Sequence, residues 1–343
     1  MEAELGEFME SQDFVDLPVN ELKEGHEIKG CYAVRSKQTP RPYRSKPGKY
    51  FFIDLSDKTG SIPGKYWGGP DEEHVLELYN SISVGDVVEI TGSVGIDPFE
   101  ERLVVTMNEG VHTLRKCDPS EYDFRDFLPT SKRDLDKLMD EVNEYIGTIQ
   151  EPNLKQLLDK FFSDPLFVED FKVSPSAVIH HHNYLGGHLE HTVGVMKLCD
   201  SISSYYSELD RDLLITAAIL HDIGKLDGYS YKESASIDQT DEGRFIGHLV
   251  MSDRMVRDKI RELDGFPREL VMKLSHMILS HHAFAEWGSP KRIRTAEAAA
   301  LHFADQMDAQ VKEFIQAIEE GRELEEDEDW AYIHSFGRPV YLK

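Results

Sequence analysis

Histidine is unevenly placed along this chain of 343 residues: eleven of its fifteen histidines fall within residues 180–302. Neutral imidazole is the most versatile metal donor, and carboxylates beside it favour Mn, Fe, Mg or Zn over soft-metal sites. A lone histidine in a helix usually packs or faces solvent, so order and context carry the weight. His191 stands in Gly186-Gly-His-Leu-Glu-His191-Thr192. The doublet His221-Asp222 closes the apolar run 213–220 and continues as Ile-Gly-Lys225, and Asp305 follows in Phe303-Ala-Asp305-Gln-Met-Asp308. A His, a His-Asp pair and a distant Asp, each on its own helix, can converge on one cation inside a helical bundle. His276 and His302 fall on apolar helix faces and read as core or supporting residues, and Glu190 reads as structural. Cys31, Cys117 and Cys199 are widely spaced with no CxxC, which indicates neither a disulfide framework nor a thiolate metal site.

Helices must hold those side chains, and the hydrophobic pattern supplies them beyond residue 131. Leu135, Leu138, Met139, Val142 and Ile146 recur at helical spacing, and further helices are expected near 187–206, 210–221, 245–263, 267–282 and 294–320. Before residue 115 the pattern is short and alternating, as in Lys49-Tyr-Phe-Phe-Ile-Asp-Leu55, with Gly, Pro and Asp turns, which reads as a small antiparallel β-barrel or sandwich. The expected organisation is an N-terminal tail (1–14), a β domain (15–115), a polar linker (116–130), an all-α domain (131–320) and a C-terminal tail (321–343). The acidic run across 317–330 reads as a solvated helix end and loop.

With 38 Lys+Arg against 64 Asp+Glu the net charge is −26, so a polyanion would be repelled unless a local basic surface received it. The apolar run 213–220, broken only by Thr216, is far short of the ~20 residues of a membrane span. The opening residues are acidic, unlike a signal or transit peptide. A cytoplasmic protein with no membrane partner is expected.

The series H…HD…D with His-Asp-Ile-Gly-Lys225 at its centre resembles the HD-domain metal-dependent phosphohydrolases. The strings His181-His-Asn-Tyr-Leu-Gly-Gly187, Leu189-Glu-His-Thr192, Leu220-His-Asp-Ile-Gly-Lys225, His276-Met-Ile-Leu-Ser-His-His282 and Gly288-Ser-Pro290 resemble, more narrowly, the YhaM-type 3′-to-5′ exoribonucleases, which join an N-terminal OB-fold to an HD domain. That resemblance spans roughly residues 15–315. It implies a dinuclear centre in which Asp222 bridges two divalent ions, with His191, His221 and Asp305 on one side and His248, His281 and His282 on the other. Mn²⁺ is the foremost ion, and Mg²⁺, Fe²⁺ or Zn²⁺ also suit the donors. Asp222 and Lys225 are the expected catalytic residues, Lys225 placing its ammonium on a phosphate oxygen or holding Asp222 ionised. His181, His182 and Ser289 are further candidates for substrate phosphate. His188 departs from the family string, where an apolar residue is expected, and helical geometry turns it away from His191 as a surface variant.

Residues 28–53 run against the global charge, with Lys29, Arg35, Lys37, Arg41, Arg44, Lys46 and Lys49 and no acid, a local +7. Tyr43, Tyr50 and Phe52 are interleaved with them and Trp67 follows. Cations to track a backbone and aromatic faces to stack bases are the parts of a single-strand site. Alternation puts Tyr50 and Phe52 on one face and Phe51 and Ile53 on the other, without saying which face is open. The segment from Tyr50 to Trp67 resembles OB-folds of the tRNA-anticodon-binding type. The reading is therefore a metal-dependent 3′-5′ exonuclease on single-stranded RNA, with single-stranded DNA a further candidate and self-association into a homo-oligomer left open. A nucleotide or cyclic-nucleotide phosphohydrolase with a regulatory OB-fold, and a non-catalytic RNA-binding adaptor, are the alternatives.

Overall fold

The computed structural model describes residues 14–178, 182–232, 235–324, 329–333 and 336–343. The chain divides into two compact units, residues 1–129 with 231–236, and residues 130–230 with 237–343.

The first unit is an OB-fold. Its strands are β1 (Glu27–Lys37), β2 (Arg41–Pro42), β3 (Lys49–Asp57), β4 (Gly60–Trp67), β5 (Val87–Ile96), β6 (Leu103–Asn108) and β7 (Leu114–Lys116), with helix α1 (Glu72–Ser81) between β4 and β5. They pair in the order β1-β3-β4-β6-β5-β7, and β1 returns to pair with β5, closing the barrel. One long strand serves both edges because β1 pairs with β5 over Glu27–Ala33 and with β3 from Ala33 onward, with an irregularity between Val34 and Ser36. Alternation is obeyed in β3: Phe51, Ile53 and Leu55 are buried, and Tyr50, Phe52 and Asp54 take the other face. Ile28, Val34, Ile62, Tyr66, Val88, Ile90, Val105 and Met107 complete that core. Residues 116–129, expected as a linker, belong to this compact unit, with Cys117, Phe127 and Leu128 buried.

The second unit is helical: α2 (Leu135–Thr148), α3 (Pro152–Phe162), α4 (Pro165–Val173), α5 (Gly187–Tyr205), α6 (Arg211–Leu220), α7 (Lys225–Gly228), α8 (Asp241–Phe245), α9 (His248–Arg261), α10 (Arg268–Ser280) and α11 (Ala296–Leu324). Two small β pairs interrupt the all-α expectation, β8 (Tyr229–Ser230) with β9 (Asp238–Gln239), and β10 (Trp330–Ile333) with β11 (Arg338–Tyr341). The C-terminal stretch is thus in part folded: Ala331, Val340 and Leu342 are buried, and a side chain at Gly321 would collide with Leu342. Helix α6 is the axis of the bundle, since every residue from Leu213 to Leu220 is buried. A helix apolar all round can only sit enclosed, and it carries the His221-Asp222 doublet into the interior at its C-terminal end. Among the described residues no helix is long and apolar enough to cross a membrane.

The two faces of β3 make opposite stability demands. Phe51→Ala should destabilise the barrel by about 3–5 kcal/mol, whereas Phe52→Ala should cost less than about 1 kcal/mol. Urea unfolding of the two variants checks this, and equal losses would contradict the assignment of faces.

Candidate metal centre and nucleic-acid face

Five helices deliver the expected ligands to one place. His191 comes from the first turns of α5, His221 and Asp222 from the end of α6, His248 from the start of α9, His281 and His282 from the end of α10, and Asp305 from α11. Asp222 lies at the centre. Its Oδ2 is 3.3 Å from His221 Nε2 and 3.8 Å from His191 Nε2, and His191 Nε2 is in turn 3.1 Å from Asp305 Oδ1. Its Oδ1 faces the other way, 3.4 Å from His248 Nε2 and 3.5 Å from His281 Nε2. His248, His281 and His282 bring one nitrogen each within 4.8 Å of one another, and His191, His221 and Asp222 form a second such group.

The donors are prepared for a cation. His221 and His281 each follow the last residue of a helix, and each Nδ1 donates to the carbonyl three residues back, Ala218 at 2.8 Å and Ile278 at 2.7 Å. Those carbonyls belong to the helix ends, where the backbone lacks intrahelical partners. A neutral ring that donates from Nδ1 presents a lone pair at Nε2. His282 is oriented in the same way by the Trp287 carbonyl, 2.7 Å from Nδ1. His302 Nδ1 bonds the His281 carbonyl at 2.6 Å, the supporting role expected for it. Buried lone pairs facing a carboxylate oxygen repel unless positive charge lies between them. Among the described residues, His221 Nε2, His248 Nε2, His281 Nε2 and Asp222 Oδ1 are buried without a hydrogen-bond partner. The residues therefore fit a divalent metal on each side of Asp222.

Lys225 is buried, with Nζ 2.6 Å from Asp222 Oδ2 and 3.2 Å from Ser176 Oγ. Burial favours protonation of Asp222, but the Lys225 ammonium outweighs it and holds the carboxyl well below its ordinary range. Burial likewise works against the Lys225 charge, and Asp222 reverses it, leaving the pKa raised. Burial also lowers the pKa of His282, to about 4, which keeps its ring neutral. For His191 the effect of burial is overcome by hydrogen bonds to Asp305 and Asp308, and its pKa is pushed up to about 10, so a cation at Nε2 has to displace a proton. Close packing fixes the doublet. A side chain at Gly224 would meet the His248 carbonyl at 2.4 Å and Ser252 N at 2.5 Å, so α7 and α9 approach as only glycine permits.

Other expected residues fall elsewhere. His182 is buried with both ring nitrogens engaged, 3.0 Å from the Tyr184 hydroxyl and 3.1 Å from Asp308 Oδ2, so it backs His191 instead of meeting a phosphate. His181 lies outside the described residues. Ser289 is buried and its hydroxyl has no partner among the described residues. Glu190 is structural as expected, accepting from Ser131, Tyr184 and Lys312. His188 is not a surface variant. It is fully buried against Phe171, because the residues from Gly187 to Val193 are enclosed on every side of α5 and leave no outward face. Asp308 is the residue that sequence reasoning missed, although its i,i+3 spacing from Asp305 puts both on one helix face.

On the barrel, the open face of β3 carries the aromatic group. Trp67 lies 5.1 Å from Tyr50 and 6.0 Å from Tyr43, ring centre to ring centre, and Phe52 is 5.6 Å from Tyr50. Lys46 Nζ stands 4.2 Å over Tyr43, and Arg41 and Lys65 approach Phe52 at 5.8 and 5.5 Å. A cavity of about 320 Å³ adjoins them, lined by Arg41, Phe52, Lys65, Asp97, Phe99 and Arg102 among others. Arg41, Arg44 and Lys46 are exposed. The remaining basic residues have internal uses. Arg35 donates to Ser56 Oγ and to the carbonyls of Phe127 and Ala235, and Lys37 Nζ to the carbonyls of Tyr79 and Ile82. Lys49 pairs with Glu72 at 3.1 Å and Lys29 more loosely with Glu89 at 3.8 Å. The +7 count thus overstates the charge left for a ligand.

Residues 33–109 match the OB-fold nucleic acid binding domain and residues 189–310 the HD domain. The molecule is in class an OB-fold module joined to an HD domain, and an HD domain implies divalent-metal dependence. Over 301 residues the chain is 32% identical to the 3′-5′ exoribonuclease YhaM of Shouchella clausii, covering 86% of this chain and 87% of that one. The protein of the same name from Geobacillus is 32% identical over 299 residues with the same coverage, and that of Bacillus subtilis 29% over 324 residues, covering 93% and 97%. The chain belongs to the YhaM family.

His188 gives a pH prediction. Burial pushes its pKa down to about 3, whereas an unfolded histidine titrates near 6.5. Folding therefore selects the neutral ring. The stability this preserves is intact above about pH 6.5 and is lost as pH falls towards the folded value, amounting to about 2 kcal/mol at pH 5. His188→Leu should remove that loss, so its stability advantage over the native chain should grow by about 2 kcal/mol between pH 8 and pH 5 in chemical denaturation. A pH-independent difference would contradict the burial of a neutral ring.

Proposed function

We propose that this chain is a metal-dependent 3′-to-5′ exoribonuclease in which the barrel holds single-stranded RNA and the helical domain releases nucleoside monophosphates from its 3′ end. The single observation that carries the reading is Asp222, a buried carboxylate with Oδ2 turned to His221 and Oδ1 to His248 and His281, whose Nε2 atoms have no hydrogen-bond partner among the described residues. Two divalent ions, Mn²⁺ foremost, would be held by His191, His221, Asp222 and Asp305 on one side and Asp222, His248, His281 and His282 on the other. When bound they supply a deprotonated water at neutral pH and positive charge on the phosphoryl oxygens.

The chain's own groups do the rest. Carbonyls fix the imidazole tautomers so that lone pairs face inward, and Lys225 keeps Asp222 ionised. The Ser289 hydroxyl, buried and unpartnered among the described residues, is available to a phosphate oxygen. On the barrel, Tyr43, Tyr50, Phe52 and Trp67 offer stacking surfaces, each base worth ~1–3 kcal/mol, and Arg41, Arg44 and Lys46 face the phosphates. The polarity is supported by the name its relatives carry.

A ladder from RNA labelled separately at each end, with Mn²⁺ present, tests the activity. The 5′-labelled strand should shorten progressively while the 3′ label is released at once as a mononucleotide. Intact RNA alongside hydrolysis of free nucleotides would refute the exonuclease reading. Asp222→Ala should abolish turnover and leave oligonucleotide affinity within about twofold in equilibrium titration. Replacing Arg41, Arg44 and Lys46 by Ser should weaken binding and flatten its log–log salt slope by about 2, with metal content unchanged. If either variant lost both properties together, the division of labour would be wrong.

A further inference from the structure

Behind His191, on the side away from Asp222, lies a carboxylate that none of the ligand assignments uses. Asp308 sits one turn beyond Asp305 on α11, and its Oδ2 is 2.7 Å from His191 Nδ1 and 3.1 Å from His182 Nε2. His191 Nε2 points the other way, to Asp305 at 3.1 Å. His221, His281 and His282 have their Nδ1 atoms directed by backbone carbonyls, whereas His191, in the first turns of α5, meets a side-chain carboxylate instead.

Two features hold that carboxylate in place. The first is His182, which is buried and in the left-handed region at φ 58°, a conformation disfavoured for residues other than glycine. It is fixed there from several sides: its amide donates to Gln316, its Nδ1 lies 3.0 Å from the Tyr184 hydroxyl, and a side chain at Gly187 would meet its carbonyl at 2.1 Å. Sparsely populated backbone conformations persist where surrounding contacts over-determine them. The second is Gly194, one turn beyond His191, where any Cβ would lie 2.0 Å from Asp308 Oδ1. Helix α5 is hollowed at the place where α11 inserts this carboxylate.

We propose that Asp308 is the positioning residue of the His191-side metal position, accepting Nδ1–H of His191 so that its Nε2 lone pair is presented beside Asp305 and Asp222, with His182 as the second donor that locks the carboxylate. The inference rests on the proposed function and deepens it. A carboxylate that orients an imidazole ligand makes the ring a stronger donor, and its loss costs about 10–100-fold in metal affinity. Only one of the two metal positions depends on Asp308.

Mn²⁺ titration of the full chain, followed by electron paramagnetic resonance of the free ion, reads this without reference to turnover. The native chain should take up two ions. Asp308→Asn should weaken one of them about 10–100-fold and leave the other within about twofold, and raising Mn²⁺ should restore RNA hydrolysis to near the native kcat. Should Asp308→Asn fail to fold, His182→Phe reads the same quantity, because it keeps the carboxylate and a ring of similar shape but removes the second donor. The expected loss is then smaller, about threefold to tenfold, at the same position. Unchanged affinities in the folded variant, equal weakening of both ions, or a third ion lost with Asp308 would each overturn the proposal. Native protein that takes up two ions but leaves RNA intact would instead refute the exoribonuclease reading and leave the metal assignment of Asp308 standing.

Discussion

The helical domain is organised around one buried anion. Asp222 is 1% exposed, and an uncompensated carboxylate at such a depth costs several kcal/mol. Lys225 supplies one counter-charge on Oδ2, and the imidazoles of four helices close round the remaining directions. The rest of the bundle can be understood as the means of putting that carboxylate there. Helix α6 is apolar on all sides, and its burial drags the doublet at its end inside. Gly224 lets the next turn touch α9, and the ends of α6 and α10 lend their unpaired carbonyls to fix the rings of His221 and His281. The same backbone device appears twice, at the ends of α6 and α10, and turns an ordinary defect of helices into a pair of oriented imidazoles.

The barrel solves a different problem, that of receiving a polyanion on a chain with net charge −26. Much of its basic segment is tied up internally, by carbonyls at Arg35 and Lys37 and by acids at Lys29 and Lys49. The cations left outward, Arg41, Arg44 and Lys46, stand on the loop side of the aromatic face. On the barrel, charge and stacking surface therefore meet on one face, while the net negative charge of the chain disfavours a polyanion at long range.

Much of this was legible from residues alone. The helices α5, α6, α9, α10 and α11 fall where apolar periodicity places them, and alternation in Lys49-Tyr-Phe-Phe-Ile-Asp-Leu55 separates the two faces of β3 even though only the structure tells which is inside. The ligand grouping in the sequence follows from order plus a family resemblance, since spacing over more than a hundred residues has no geometry of its own. What could not be read is instructive. His188 lies three residues before His191, so a helical wheel puts the two on one side of α5 and not on opposite sides, and the helix has no outward face at that end. The count of basic residues ignored that a cation can be used by neighbouring carbonyls. Asp308 went unnoticed because its meaning depends on a ring from another helix, and the hairpin of β10 and β11 follows an acidic run whose composition signals solvent exposure.

Anomalous diffraction at the manganese edge, from crystals of the full chain grown with Mn²⁺, addresses the central claim most directly. The account predicts two peaks about 3.5–4 Å apart, one beside each oxygen of Asp222, the first within reach of His191, His221 and Asp305 and the second within reach of His248, His281 and His282. A single peak, or peaks that leave either Asp222 oxygen without a metal neighbour, would contradict it.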